Sequence, residues 1–424
     1  MTQQDSPAAC SDTPRTVSQL TRGLRTGIDS DPAQGAIIPP LYLSSNFSFA
    51  AFDEPRQYDY TRSGNPTRDV LAEALSTLEG GAGASITSTG MSAITLCVNA
   101  LLRPGDTIVI PHDCYGGTWR LFDTLSSRGQ FELVTVDFGD EDAVNAALEA
   151  GPTVVWLETP SNPLLRVTDI ELVTKAAHAV GALVVADNTF LSPILQRPFE
   201  FGVDLVVHST TKYINGHSDV VGGAVIARTA ELTEQIAYWS NVLGLSGSPF
   251  DSYLTVRGLR TLHTRIRAHQ ENATAIVNAI AAHPAVGCVY YPGLTSHPGH
   301  EIAAKQQDGF GAMFSIDLAG GETAVRAFLQ GLRCFSLAES LGGTESLVAH
   351  PATMTHASMS AEARAVAGIG AGLLRLSVGI ELAQDLVADV LDGLDRALAA
   401  TCPTELAEIA EELPAPERIL ARVS

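Results

Sequence analysis

Asp204-Leu-Val-Val-His-Ser-Thr-Thr-Lys212-Tyr-Ile-Asn-Gly-His-Ser-Asp219 decides how this chain is read. It starts as a short β-branched run at Val206 and Val207, then turns abruptly polar. Ser209, Thr210 and Thr211 surround one lysine, Lys212, and Gly216, Gly222 and Gly223 follow. Burial disfavours an ammonium group, so a lysine closing a buried strand is a candidate nucleophilic amine. The hydroxyls beside it suit a phosphate. Taken alone, a lysine at a strand exit usually points into water. The residues on either side of the stretch decide between the two readings.

Working outward, short Val/Ile/Leu runs alternate with helical patterns. Strands are predicted at 107–110, 131–136, 154–157, 183–186 and 205–208. Helices are predicted at 68–79, up to about 102, and at 118–128, 141–150 and 170–180. Continuous apolar strands alternating with helices predict an α/β fold with a mostly parallel central sheet covered by helices. Beyond the strand at 223–227 the pattern changes. Helices at 230–244 and 251–282, then strands near 288–291, 312–317 and 373–377 mixed with helices at 322–331 and 384–399, predict a smaller α+β domain, with 251–282 as the junction. At the other end, a short helix near 18–26 and an extended, proline-bearing segment at 37–43 precede an irregular aromatic and basic stretch. That stretch, with Phe47, Phe49, Phe52, Arg56, Tyr58, Tyr60 and Arg62, predicts an arm that packs on another surface.

The formal net charge of −21 argues against nucleic acid or an anionic membrane as partner. The six cysteines form no CxxC pair, so neither a metal site nor a disulfide framework is expected. No basic-then-apolar leader opens the chain, and no apolar run approaches ~18 residues. A soluble, cytoplasmic protein is expected. The P-loop, HExxH and GxSxG patterns and an early GxGxxG are absent.

In an open α/β sheet, ligands bind beyond the carboxyl ends of the strands. Thr89-Gly90-Met91-Ser92 opens a helix, which presents free N–H groups suited to phosphate. Tyr115 follows the next strand and offers an aromatic face for a flat ring. Asn162 sits on a proline-stiffened turn, Glu158-Thr-Pro-Ser-Asn-Pro. Asp187 ends a buried strand and needs a partner; a pyridinium N–H would serve, and an ordinary capping role is the alternative. Each signal alone is weak. Together they outline a phosphate cup, a stacking ring, an anion and an amine, the parts of a pyridoxal phosphate (PLP) site.

The segments Tyr60-Thr-Arg62-Ser-Gly-Asn-Pro-Thr-Arg68, Thr89-Gly-Met-Ser-Ala93, Pro111-His-Asp-Cys-Tyr115-Gly-Gly, Glu158-Thr-Pro-Ser-Asn162-Pro, Asp187-Asn-Thr-Phe190 and His208-Ser-Thr-Thr-Lys212-Tyr resemble the Cys/Met-metabolism family of PLP enzymes, the γ-family of fold type I. The resemblance spans roughly 17–400. It implies that Lys212 is the Schiff-base lysine, Asp187 the pyridinium partner and Tyr115 the stacked ring, these three being the catalytic set. Gly90, Met91, Ser209 and Thr211 would hold the phosphate. Tyr60 and Arg62 would reach the cofactor of a neighbouring subunit, which implies a homotetramer built as a dimer of active dimers. Arg375 would pair with the substrate α-carboxylate, helped by Asn162 and Ser340.

The resemblance also implies a division into a lead (1–16), an arm (17–66), a PLP-binding domain (67–256), a C-terminal domain (257–400) and an extension (401–424). Leu337-Ala-Glu339-Ser340-Leu-Gly-Gly343, Pro351-Ala-Thr-Met-Thr-His356 and Leu374-Arg375-Leu-Ser-Val-Gly379 look most like the members that join an O-acyl-homoserine to cysteine by γ-replacement. Glu339 resembles the acidic residue of the γ-acting members, and Arg120 and Arg56 are candidates for the distal ester group. Val378, Pro351 and the extension depart from the family pattern, and none belongs to the cofactor set. Succinate is the expected leaving group, with acetate and phosphate open. γ-Elimination and sulfide-accepting activities share almost every residue named. A catalytically inactive regulator on the same fold is the reading from another class.

Overall fold

A computed structural model describes residues 17–401 apart from 358 and 360. The expected lead, and the expected extension beyond Thr401, lie outside these residues. Seven strands form the first sheet: β1 (Gly83–Thr87), β2 (Thr107–Pro111), β3 (Glu132–Val136), β4 (Val154–Glu158), β5 (Leu183–Asp187), β6 (Leu205–His208) and β7 (Gly223–Ala227). Their order is β1-β7-β6-β5-β4-β2-β3, with only β7 running against the rest. Successive residues of β4 to β7 serve opposite faces. Val155, Leu157, Val184 and Val206 enter one apolar cluster, while Val154, Trp156, Val185 and Val207 enter another. Burial on both faces explains why these strands read as continuous apolar runs. The α/β architecture is the one expected.

A second sheet is built from β8 (Val286–Tyr290), β9 (Met313–Leu318), β10 (Ser336–Leu337), β11 (Leu347–Ala349) and β12 (Leu373–Ser377), in the order β10-β11-β12-β9-β8. β10 and β11 escaped the sequence reading because two and three residues carry no periodic signal. Among the described residues no helix is long and apolar enough to cross a membrane.

The helix expected over 251–282 is two, Pro249–Leu259 and Leu262–Ile280. The second joins both cores: Leu262 and Ile266 pack with the first sheet, while Ile276, Val277 and Ile280 pack with the second. The break sets Arg265 against the turn that follows Lys212. Its guanidinium donates to the carbonyls of Tyr213 (2.8 Å), Ile214 (3.3 Å) and Gly258 (2.9 Å). Gly216 lies in that turn with φ +71°, and a Cβ there would strike the guanidinium, so two constraints require glycine.

Beneath the ends of β5 and β6 runs a buried polar network. The Glu79 carboxylate meets His208 Nε2 at 2.5 Å and accepts from Asn188 Nδ2 at 2.9 Å, and both the Glu79 and His208 side chains are fully buried. Removing one partner of such a pair leaves an uncompensated buried group. Glu79→Ala is therefore expected to lower stability by about 3–5 kcal/mol, read as a shift of the urea unfolding midpoint. A loss below about 1 kcal/mol, the scale of an exposed pair, would contradict this account.

Candidate active site

One cleft of about 560 Å³ collects the strand ends of the first sheet and two segments of the second. Thr89, Gly90 and Met91 reach it after β1, Tyr115 after β2, Glu158 and Asn162 from the end of β4, Asp187 and Thr189 from β5, and Ser209, Thr211 and Lys212 from β6. Glu339 and Ser340 come from the turn after β10, and Arg375 from β12. Arg120, on the helix Gly116–Ser127, also lines it.

Lys212 Nζ donates to Ser340 Oγ at 2.9 Å. Burial, and then the nearby Arg375 charge, bring its pKa down to about 8, with Glu339 opposing. Ser340 is held at φ +88°, a backbone conformation costly for a residue with a Cβ. Its carbonyl accepts from Arg375 Nη2 at 2.9 Å, and Asn162 Oδ1 accepts from Nη1 at 2.9 Å. Arg375 is only 3% exposed, and its Nε has no partner among the described residues. A guanidinium held by two hydrogen bonds at the wall of a cleft suits an incoming carboxylate. His356 is also buried; its Nε2 lies 3.1 Å from the Asn162 carbonyl, and burial lowers its pKa to about 4, so the ring there is neutral.

At the other end, Thr89 caps the helix Gly90–Leu101 by accepting from Ser92 N–H. The N–H groups of Gly90 and Met91 take no partner among the described residues. A Cβ on Gly90 would lie 2.8 Å from Ser209 Cβ, so only glycine lets the helix start approach that hydroxyl. Thr211 Oγ1 is engaged instead with the Gly222 backbone, accepting from its N–H at 3.0 Å. Asp187 accepts from Thr189 N–H at 3.0 Å, and burial raises its pKa. Tyr115 is partly exposed at the cleft, and its backbone N–H donates to Glu158 Oε2 at 2.9 Å. An anion without a cationic partner, free N–H groups at a helix start and a buried amine of lowered pKa fit the ring nitrogen, phosphate and aldehyde of PLP.

Three of the residues expected in the site stand apart from this cleft. Arg56 donates through Nε to Ser48 O at 3.1 Å within the exposed arm. Arg62 donates to the Asn241 side chain at 2.6 Å and stacks 5.8 Å from the centre of the Tyr60 ring. Sequence reasoning passed over Glu158, Thr189 and His356. Glu158 carries the same strand-end signal as Asp187, whereas His356 comes from a distant turn whose only signal was the resemblance of its segment.

The model for the family described as Cys/Met metabolism PLP-dependent enzyme matches residues 20–395. A protein of Escherichia coli (strain K12) named cystathionine gamma-synthase is 55% identical over 378 residues, covering 89% of this chain and 98% of the relative. A crystal structure of cystathionine gamma synthase from Xanthomonas oryzae pv. oryzae, in complex with cystathionine, superposes with a TM-score of 0.90 at 64% identity, over 91% of this chain and all of that one. A structure of that enzyme with aminoacrylate and cysteine matches with the same TM-score.

Because the pKa of Lys212 lies near 8, its neutral, reactive form grows as pH rises from 7 to 9. The rate of amine modification of Lys212 in the cofactor-free protein is expected to follow that midpoint. Arg375→Met removes a neighbouring positive charge and is expected to move the midpoint upward. A midpoint at the ordinary lysine value of about 10.4 would contradict the assignment.

Proposed function

The chain belongs to the Cys/Met metabolism PLP-dependent enzymes, and on that premise we propose that it catalyses the cystathionine γ-synthase reaction. An O-acyl-homoserine, with the succinyl ester expected, and L-cysteine give L-cystathionine and the free acid. The Cγ–O ester bond breaks, a Cγ–S bond forms, and the thiol proton is released. The observation that carries this reading is the Arg375 clamp: a buried guanidinium, oriented by Asn162 and Ser340, lining the same cleft as Lys212.

When bound, PLP supplies an electron sink for the pair left as the substrate Cα–H bond breaks. In this reading Arg375 binds the α-carboxylate and sets the Cα–H bond toward Lys212. The Lys212 amine takes the Cα proton and later returns a proton to the product carbon, which its pKa near 8 allows in both directions. Ser340 Oγ aims that amine. Asp187 holds the ring nitrogen, Tyr115 covers the ring, and Gly90, Met91, Ser209 and Thr211 hold the phosphate. Glu339 and Arg120, both exposed at the cleft, face the γ-substituent and its ester.

Tyr60 and Arg62 serve a neighbouring copy in this reading, within a homotetramer of two active dimers in the cytoplasm. Support comes from the arm that carries them, where Phe52 is 100% exposed and Leu43 and Phe49 are also exposed. The division into a cofactor domain (67–256) and a smaller domain (257–400) belongs to the same reading and is supported by the two sheets with separate apolar clusters.

The test is an assay of acyl-homoserine with cysteine, set against cystathionine alone and against sulfide, with succinyl, acetyl and phosphoryl esters compared. Thioether formation from ester and cysteine is expected to dominate; cleavage of cystathionine as the main activity would replace this reading with a lyase. Lys212→Ala is expected to abolish turnover and the visible absorbance of the yellow protein. Arg375→Lys keeps the charge but loses the fork, and is expected to lower kcat/KM about 10- to 100-fold. If Arg62 acts across subunits, mixing the Lys212→Ala and Arg62→Ala variants restores part of the activity; no restoration would place Arg62 outside the partner's site.

A further inference from the structure

Glu158 is a carboxylate at the cleft for which the proposed reaction has no use. It ends β4 and is 7% exposed. Its register partner is Asp187, the last residue of β5. Adjacent strands run about 4.8 Å apart, so two carboxylates stand side by side at the floor of one cleft. Arg166, the nearby cation, pairs with Asp113 at 2.9 Å, and the His208 imidazole is held by Glu79 at 2.5 Å.

The groups around the pair are unequal. Glu158 faces Asp113 and Asp187, the buried thiol of Cys114 and the Tyr115 phenol, and no cation favours its ionised form. It accepts from the backbone N–H of Tyr115 at 2.9 Å and from that of Asn162. Asp187 faces Glu158, the Cys97 thiol from the helix Gly90–Leu101, Cys114, and His208 at the end of β6, and it accepts from Thr189. Two carboxylates this close do not both ionise, and Glu158, the more deeply buried of the two and the one that also faces Asp113, keeps the proton.

We propose that Glu158 is the neutral acid of this pair, leaving Asp187 as the anion that meets the cofactor ring nitrogen. Glu158 is then a positioning residue. Its Oε2 fixes the backbone of Tyr115, the ring-covering residue, without adding a second negative charge to compete for the ring N–H. Burial, then the Asp187 and Asp113 charges, raise its pKa well above its ordinary value against the N–H groups of Tyr115 and Asn162, whereas two hydrogen bonds from Thr189 counter burial at Asp187. This inference rests on the cofactor reading above.

Infrared spectra at pH 8 test it directly, on protein with PLP bound and after its removal. The wild type is expected to show a protonated-carboxyl C=O band in both forms, and the isosteric Glu158→Gln to lack it. Glu158→Gln keeps a neutral acceptor for Tyr115, so its PLP dissociation constant is expected within about threefold of wild type. Glu158→Ala removes the acceptor and is expected to weaken PLP about tenfold, the scale of one hydrogen bond. A band that persists in Glu158→Gln, a wild type with no such band, or equal weakening by Gln and Ala would overturn the proposal. Wild-type protein that binds no PLP would overturn the cofactor reading instead, while the band on the free protein still decides the state of Glu158.

Discussion

Lys212, Ser340, Arg375 and Asn162 form one chain of hydrogen bonds, and the site depends on it. The amine donates to the Ser340 hydroxyl, the guanidinium to the Ser340 carbonyl and the Asn162 side chain. Lys212 and Asn162 belong to the first sheet's loops, Arg375 and Ser340 to the second sheet. Neither sheet holds the amine and the carboxylate receptor in place alone. Ser340 bridges them with both of its oxygens, from a left-handed backbone conformation. Such a conformation costs of order 1–3 kcal/mol and persists only where the surroundings over-determine it. Here the two cations beside it supply that constraint.

Arg375 also tunes the amine. The chain carries a net charge of −21, yet its cleft is lined by a buried Arg and a partly buried Lys. Burial and mutual repulsion make Lys212 a weaker base, while Arg375 remains a cation even at a pKa of about 10. The repulsion therefore falls on the lysine, the group whose neutral form is useful. On the opposite wall the same physics acts with reversed sign. Burial pushes Glu158 and Asp187 toward their neutral forms, and the hydrogen bonds from Thr189 oppose this at Asp187.

Most of the first sheet was legible because parallel strands buried on both faces leave unbroken β-branched runs, each followed by a polar turn. Lys212, Asp187, Tyr115 and Asn162 were found by asking what each turn presents. Glu158 closes its strand just as Asp187 does, but Asn162 on the following turn reads as that strand's contribution to the site. The split helix at 260–261 was missed because both halves share an apolar period, and the break follows from the tertiary need of Arg265 to reach the carbonyls after Lys212. Ser340 and His356 lie in irregular backbone with no periodicity to read, and only resemblance pointed to Ser340.

By itself the sequence determined the local pieces: which runs become strands, which turns carry an amine, an anion, a ring and free N–H groups, and which helix start is open enough for a phosphate. Those properties depend on neighbouring residues and on elementary preferences of backbone and charge. Tertiary structure alone decided what those pieces face. It put Arg375 within reach of Asn162, 213 positions away along the chain, and left Arg56 outside the cleft. It also set Glu158 beside Asp187. The physical reason is that burial and proximity, which decide pKa and pairing, come from strand register and from the meeting of two sheets, and neither is written in any short stretch of the chain.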